Sequence, residues 1–235
     1  SHAQLHYRLI TLAQQKIQAE KDSLATLSQT DSLKTQTDSA ILAVQAKDFE
    51  TENSKFKVKF AGTGGAVSEL LLKEYSAFDE NAKNHKQPLY LIKDGNNVFN
   101  LKFKDKSGRE INTSGLSFSP TLQKSDSVSV ITMTAPIDGG KIQFIYTVGT
   151  DYTIGFDVKS QGIRQLTNDQ NLGVEWKLKA TSLEKGKQQE HYWAQTYYRF
   201  KGTHDVEYEL FGADEWSEKE SIDWIAFKQQ FFSSV

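Results

Sequence analysis

A chain of 235 residues with 37% hydrophobic content is long enough for one large domain or two small ones and can fill a sizeable core. Its 28 basic and 30 acidic residues are spread along the chain and leave a formal charge of -2, so no basic field exists to hold a phosphate backbone, which argues against nucleic acid as a partner. Cysteine is absent, which removes disulfides, thiol nucleophiles and thiolate metal sites but leaves the compartment open. No apolar run approaches the roughly 20 residues of a spanning helix. The opening Ser1-His2 reads as a remnant of tag removal, and His2 is kept out of every site argument.

From Ala3 to about Leu27, Leu9, Ile10, Ala13, Ile17, Leu24 and Leu27 recur at helical spacing among good helix formers, which predicts a helix with a thin apolar stripe. The stretch "LSQTDSLKTQTDSA", Leu27 to Ala40, is polar and reads as a tether. A boundary follows near Asp48, separating a helical and polar linker, 1–48, from a domain at 49–235.

Beyond the boundary the period changes to two. "KFKVKF" places Phe56, Val58 and Phe60 on one face of a strand. Val128 and Val130 alternate with serines; Ile142, Phe144, Tyr146 and Val148 share a face, as do Tyr152, Ile154, Phe156 and Val158. Turn chemistry separates these segments at Asp94-Gly95-Asn96, Lys106-Ser107-Gly108, Asp138-Gly139-Gly140 and Gly149-Thr150-Asp151. Short strands at intervals of about ten residues predict an all-β sandwich preceded by the N-terminal helical linker.

Three groups of residues invite a chemical reading. "GTGG", Gly62 to Gly65, lacks the Lys-Ser/Thr ending of a phosphate loop, and glycines allowing a tight turn between paired strands are the plainer reading. His85, His191 and His204, with Glu190, Asp205 and Glu207, show no metal-ligand spacing, and neighbours on a strand point to opposite faces. "HYWAQTYYRF" brings Tyr192, Trp193, Tyr197, Tyr198 and Phe200 close in sequence, either as a ligand or partner platform or as sandwich packing. The closing stretch "SIDWIAFKQQFFSSV" reads equally as a helix with Trp224, Phe227, Phe231 and Val235 on one stripe or as two strands around Lys228-Gln229-Gln230.

"IDWIAFKQQFF" resembles the tryptophan-containing segment near the end of the large periplasmic domain of YidC-type membrane protein insertases, particularly those of Bacteroidetes-like bacteria. "VKFAGTGGAVSELLLKEY", "QPLYLI", "FNLKFKDKSGREINTSGLSFSP", "YTVGTDYTIGFDV" and "GVEWKLKATSLEKGKQQE" resemble successive segments of that domain, and "QLHYRLITLAQQKIQAEKDS" resembles the linker that leaves the first membrane helix. The resemblance implies a twisted β-sandwich of the galactose-mutarotase-like kind, in the periplasm beside the bacterial inner membrane. It implies that Ser221 to Val235 is strand, with Trp224 and Phe227 buried, and that the sandwich continues past Val235 and here has an open edge. The matching residues Gly64, Gly65, Tyr75, Trp176, Trp224, Ala226, Phe227, Lys228, Phe231 and Phe232 are expected to act structurally, while Tyr192, Trp193, Tyr197 and Tyr198 are the candidates for contact with a ligand or partner.

The function so implied is non-enzymatic and needs no cofactor or metal: assistance to insertion and folding of inner-membrane proteins, with membrane protein substrates and secretion translocon components as partners of the full-length protein. The alternatives are a carbohydrate-binding or mutarotase-like domain and a docking domain for the secretion machinery. The catalytic histidine and glutamate of mutarotases find no matching motif here.

Overall fold

The computed structural model describes residues 45–104, 108–137, 140–162, 172–209 and 221–235. The chain divides into two units, 1–42 and 43–235, and every described residue belongs to the second. The predicted helix from Ala3 to Leu27 and the tether to Ala40 lie outside the described residues.

Strands β1 (Phe49–Glu52), β2 (Phe56–Phe60), β3 (Val67–Phe78) and β4 (Lys86–Ile92) form an antiparallel sheet in that order. Alternation decides which side faces inward. Phe56, Val58 and Phe60 are buried, whereas Lys57 and Lys59 reach outward to Glu50 and Asp48 at 2.5 and 3.0 Å. The turn into β2 is held by Asn53, whose Oδ1 accepts from the Lys55 and Phe56 amides and whose Nδ2 donates to the carbonyls of Gly149 and Asp151. Pairing of β3 with β4 slips between Leu72 and Ser76, so Lys73 to Tyr75 lie opposite no residue of β4 and the strand bends there.

Two more strands follow, β5 (Asn97–Lys104) and β6 (Glu110–Asn112), and a 3-10 turn at Thr113–Gly115. The turn into β5 uses Asp94 and Gly95 at φ of 53° and 76°. Strands β7 (Ser119–Lys124), β8 (Ser129–Ile137), β9 (Gly140–Val148) and β10 (Ile154–Gln161) then make a second antiparallel sheet, ordered β10-β9-β8-β7. Its inner face carries Ile131, Met133 and Ala135 from β8 and Ile142, Phe144, Tyr146 and Val148 from β9. Ile131 rather than Val130 points inward, because the strand pairs Ile131 with Tyr146 on the core side of the ladder.

The first two sheets pack face to face, with the Phe60 and Tyr146 rings 4.3 Å apart. Strand β11 (Gly173–Leu178) joins β5 and β6 in a third sheet, ordered β11-β5-β6, whose Leu101, Phe103 and Ile111 enter the same core. A buried polar node closes this end. Asn100 Oδ1 accepts from the Thr113 hydroxyl and the Ser114 amide, and its Nδ2 donates to Asn112 Oδ1 and Glu175 Oε2, so the whole amide is satisfied.

After the short helix α1 (Lys187–Tyr192), β12 (Gln195–Phe200), β13 (Glu207–Glu209), β14 (Ile222–Lys228) and β15 (Ser233–Ser234) form a fourth sheet, ordered β13-β12-β14-β15. Ser221 to Val235 is therefore a strand hairpin and not a helix. The architecture is an all-β sandwich with one short helix among the described residues.

Candidate functional site

The loop that carries "GTGG" is a structural corner. Gly64 and Gly65 adopt φ of 84° and 70°, and a Cβ on Gly65 would lie 3.0 Å from the rings of Phe118 and Phe144. The Gly65 carbonyl accepts from the Tyr146 hydroxyl at 2.9 Å, and burial pushes that phenol well above its usual range. The glycines therefore close the core and face no open anion site.

An apolar cleft of about 760 Å³ lies between β3, β4, β5, β10, β11 and the last five residues. Leu72, Leu89 and Leu91 are buried at its base, and Leu70, Phe99, Phe156 and Trp176 line its walls. Tyr75, Tyr152, Phe231 and Val235 stand at its rim, 47%, 45%, 67% and 78% exposed. Each element contributes for a local reason. The unpaired bend at Lys73 to Tyr75 frees the Tyr75 ring, which meets Phe232 edge-on at 5.3 Å. Period-two alternation puts Tyr152, Ile154 and Phe156 on one side of the segment leading into β10. Phe156 then contacts Phe99 edge-on at 5.4 Å.

Trp176, Asn97 and Tyr152 at the cleft are engaged with the protein. Trp176 Nε1 donates to Asn97 Oδ1 at 2.9 Å, and Asn97 Nδ2 donates to the Val67 carbonyl. The Tyr152 hydroxyl donates to Glu74 at 2.5 Å, which raises the Tyr152 pKa well above the usual phenol range; Lys55, 2.8 Å from the same carboxylate, is the main cause that lowers the Glu74 pKa, followed by Tyr152. What the cleft offers an occupant is apolar and aromatic surface. Such a surface retains apolar side chains without discriminating strongly among them.

The closing motif divides between this cleft and a second surface. Phe231 and Phe232 line the cleft, and Phe227 stands edge-on against Trp176 at 4.8 Å. Trp224 and Phe227, expected to be buried, are both half-buried. They lie three residues apart on one strand and so point to opposite faces, and Trp224 takes the outward one, with the Arg199 guanidinium 5.9 Å from its ring centre. Ala226 is buried beside it. Lys228 places its ammonium 5.3 Å from the Trp193 ring centre and 5.7 Å from that of Tyr197.

The four candidate contact aromatics do not make one platform. Tyr192 and Trp193 are exposed and perpendicular, and Tyr197 shares the outward face of β12 with them through Lys228. Tyr198 is buried, 6% exposed, and packs against Phe200 on the opposite face. The histidines are scattered: His85 stacks on Phe78, His191 is in α1 and His204 lies in the loop after β12. Glu190 is committed to structure, accepting from the Ser182 hydroxyl and the Leu183 amide at 2.6 Å each.

Sequence periodicity pointed to Tyr152, Ile154 and Phe156 as one face, but gave no sign that Leu70, Phe99 and Trp176 would meet them, because these come from strands far apart in the chain.

The sequence of this domain is similar to that of known proteins along its whole length. The YidC periplasmic domain family matches residues 49–235. A membrane protein insertase YidC of Bacteroides fragilis is 30% identical over 238 residues, 98% of this chain and 37% of that protein. Insertases of the same name from Phocaeicola vulgatus and Porphyromonas gingivalis are 31% and 28% identical, over 78% and 83% of this chain. The chain spans about a third of the length of these relatives, 29% to 37%. No solved structure matches it. With a family match over residues 49–235 and an all-β sandwich among the described residues of that span, this chain belongs to the YidC periplasmic domain family.

Proposed function

We propose that this chain is the periplasmic module of a membrane protein insertase of the bacterial inner membrane, and that it assists insertion and folding of membrane proteins by holding their apolar segments in the cleft. The module begins near Phe49 and works without a catalysed covalent step, cofactor or metal. The observation that carries the reading is the cleft itself: about 760 Å³ of mostly apolar wall with aromatic rims, where the Trp176 and Tyr152 polar atoms are bonded within the protein. A surface of that kind stabilises an apolar segment by roughly 25 cal/mol for each Å² removed from water, whatever its sequence, as a helper of many different substrates requires. Secretion translocon components are the second class of partner in this reading, for which the unpaired outer edge of β13 among the described residues is a suitable contact.

The test is site-specific photo-crosslinking in the full-length protein during membrane protein synthesis, with the probe at Tyr75 or Phe231 and a control at Lys124 on β7. Adducts to nascent membrane proteins from the first two positions and not the third are expected. Adducts only to other residues of the same chain would refute the reading, since the cleft would then be filled from within.

A further inference from the structure

The outward face of the fourth sheet combines features that the cleft does not use. Gln195, Tyr197 and Arg199 on β12 lie opposite Lys228, Ala226 and Trp224 on β14, and Tyr197 lies opposite Tyr208 on β13, so all these side chains share one face. Tyr192 and Trp193, at the end of α1, extend it. Tyr192, Trp193 and Tyr208 are 67%, 39% and 55% exposed, a large aromatic area to leave in water.

We propose that this face docks on the phosphate-bearing headgroup layer of a lipid bilayer. Two observations choose this occupant. The first is charge. The Lys228 ammonium sits between the Trp193 and Tyr197 rings and has no carboxylate partner among the described residues, while Arg199 stands over Trp224 and pairs with Asp223. The ring of aromatics thus carries a cation that no described carboxylate pairs with, complementary to a lipid phosphate. The second is ring geometry. A sugar platform needs open, coplanar ring faces, yet Trp193 and Tyr197 each hold one face toward Lys228, and the Tyr192 and Trp193 planes cross at 89°. Tryptophan and tyrosine are amphipathic groups that partition to the boundary between headgroup and acyl chain. An extended peptide would gain little there, because the surface is a sheet face without free backbone donors. The proposal is independent of the cleft, whose lining includes none of Tyr192, Trp193, Tyr197, Arg199, Tyr208, Trp224 and Lys228.

The test is co-flotation of the 235-residue chain with vesicles of phosphatidylethanolamine and phosphatidylglycerol, beside vesicles of phosphatidylcholine alone. The chain is expected to float with the first and more weakly with the second. Lys228→Gln should lower affinity for the anionic vesicles about fivefold, as expected for one cation near such a surface. Tyr192→Ala with Trp193→Ala should abolish most flotation on both, and Leu122→Ser, an exposed apolar position on β7, should change nothing; unchanged circular dichroism establishes that each variant folds. Failure of the chain to float, or flotation indifferent to both variants of the face, overturns the proposal. So does flotation lost in Phe231→Ser but kept in the double variant, which would assign the lipid contact to the cleft. If a photo-crosslinker at Tyr208 in the full-length protein captures protein and no lipid, the face is a protein interface and the proposal fails.

Discussion

Replacing Gly65 with alanine tests the account of the glycine corner at a single methyl group. Gly65 has φ of 70°, and its added Cβ would lie 3.0 Å from carbons of both Phe118 and Phe144. The left-handed backbone alone costs an L-residue about 1–2 kcal/mol. Crowding against two buried rings adds about 1–3 kcal/mol, because neither ring has free space to move into. The sum is about 2–5 kcal/mol. Gly95→Ala is the internal control: its φ of 76° is similar, but nothing lies within 4 Å of the new methyl group, so only the backbone cost of about 1–2 kcal/mol applies. Urea unfolding followed by circular dichroism, with the denaturant slope compared between variants, measures both. The difference between the two is the crowding. If Gly65→Ala loses no more stability than Gly95→Ala, the corner is not packed as described.

Three further outcomes follow from the packing and charge. Trp224→Ala should cost about 1 kcal/mol or less, since the ring lies half-buried on an outward face, whereas Phe118→Ala, fully buried, should cost about 3–5 kcal/mol; equal losses in thermal unfolding would contradict this assignment. Tyr146→Phe removes the donor to the buried Gly65 carbonyl and should cost about 1–3 kcal/mol, and no change in the urea midpoint would mean that the bond is not formed. The Glu175 carboxyl is held at about 2, from the ordinary 4.5, first by its bond to Lys102, then by Lys177 and Asn100. Its folded pKa lies below the unfolded one, so this contribution is complete above about pH 4.5 and is lost as pH falls toward 2. Glu175→Gln should flatten the stability profile in that window, and an unchanged profile would exclude the network as its cause.

Much of the fold is legible because the strands obey a period of two. Phe56, Val58 and Phe60, and Ile142 to Val148, are buried as alternation requires. The reading weakens where apolar residues are adjacent. Val130 and Ile131 offer two registers, and only pairing with β9 selects Ile131. Trp224 and Phe227 would share a helical stripe but must separate on a strand, so expecting both in the core conflicted with the strand assignment itself. The same parity sends Tyr197 outward and Tyr198 inward. Of the cleft, only the shared face of Tyr152, Ile154 and Phe156 was legible. The rest depends on a break in pairing at Lys73 to Tyr75 and on the meeting of β3, β5, β10, β11 and the closing hairpin, none of which leaves a local pattern.

Whether the cleft holds apolar segments is tested by titrating the 235-residue chain with a fluorescently labelled, extended apolar peptide, following anisotropy, and repeating with Tyr75→Glu and Phe231→Glu. Both residues stand at the rim of the cleft and are exposed, so the substitutions should leave the fold intact while placing charge where the peptide must lie. Saturable binding to the unaltered chain is expected, weakened about tenfold or more by each substitution. Binding that does not saturate, or that is indifferent to both substitutions, would contradict it.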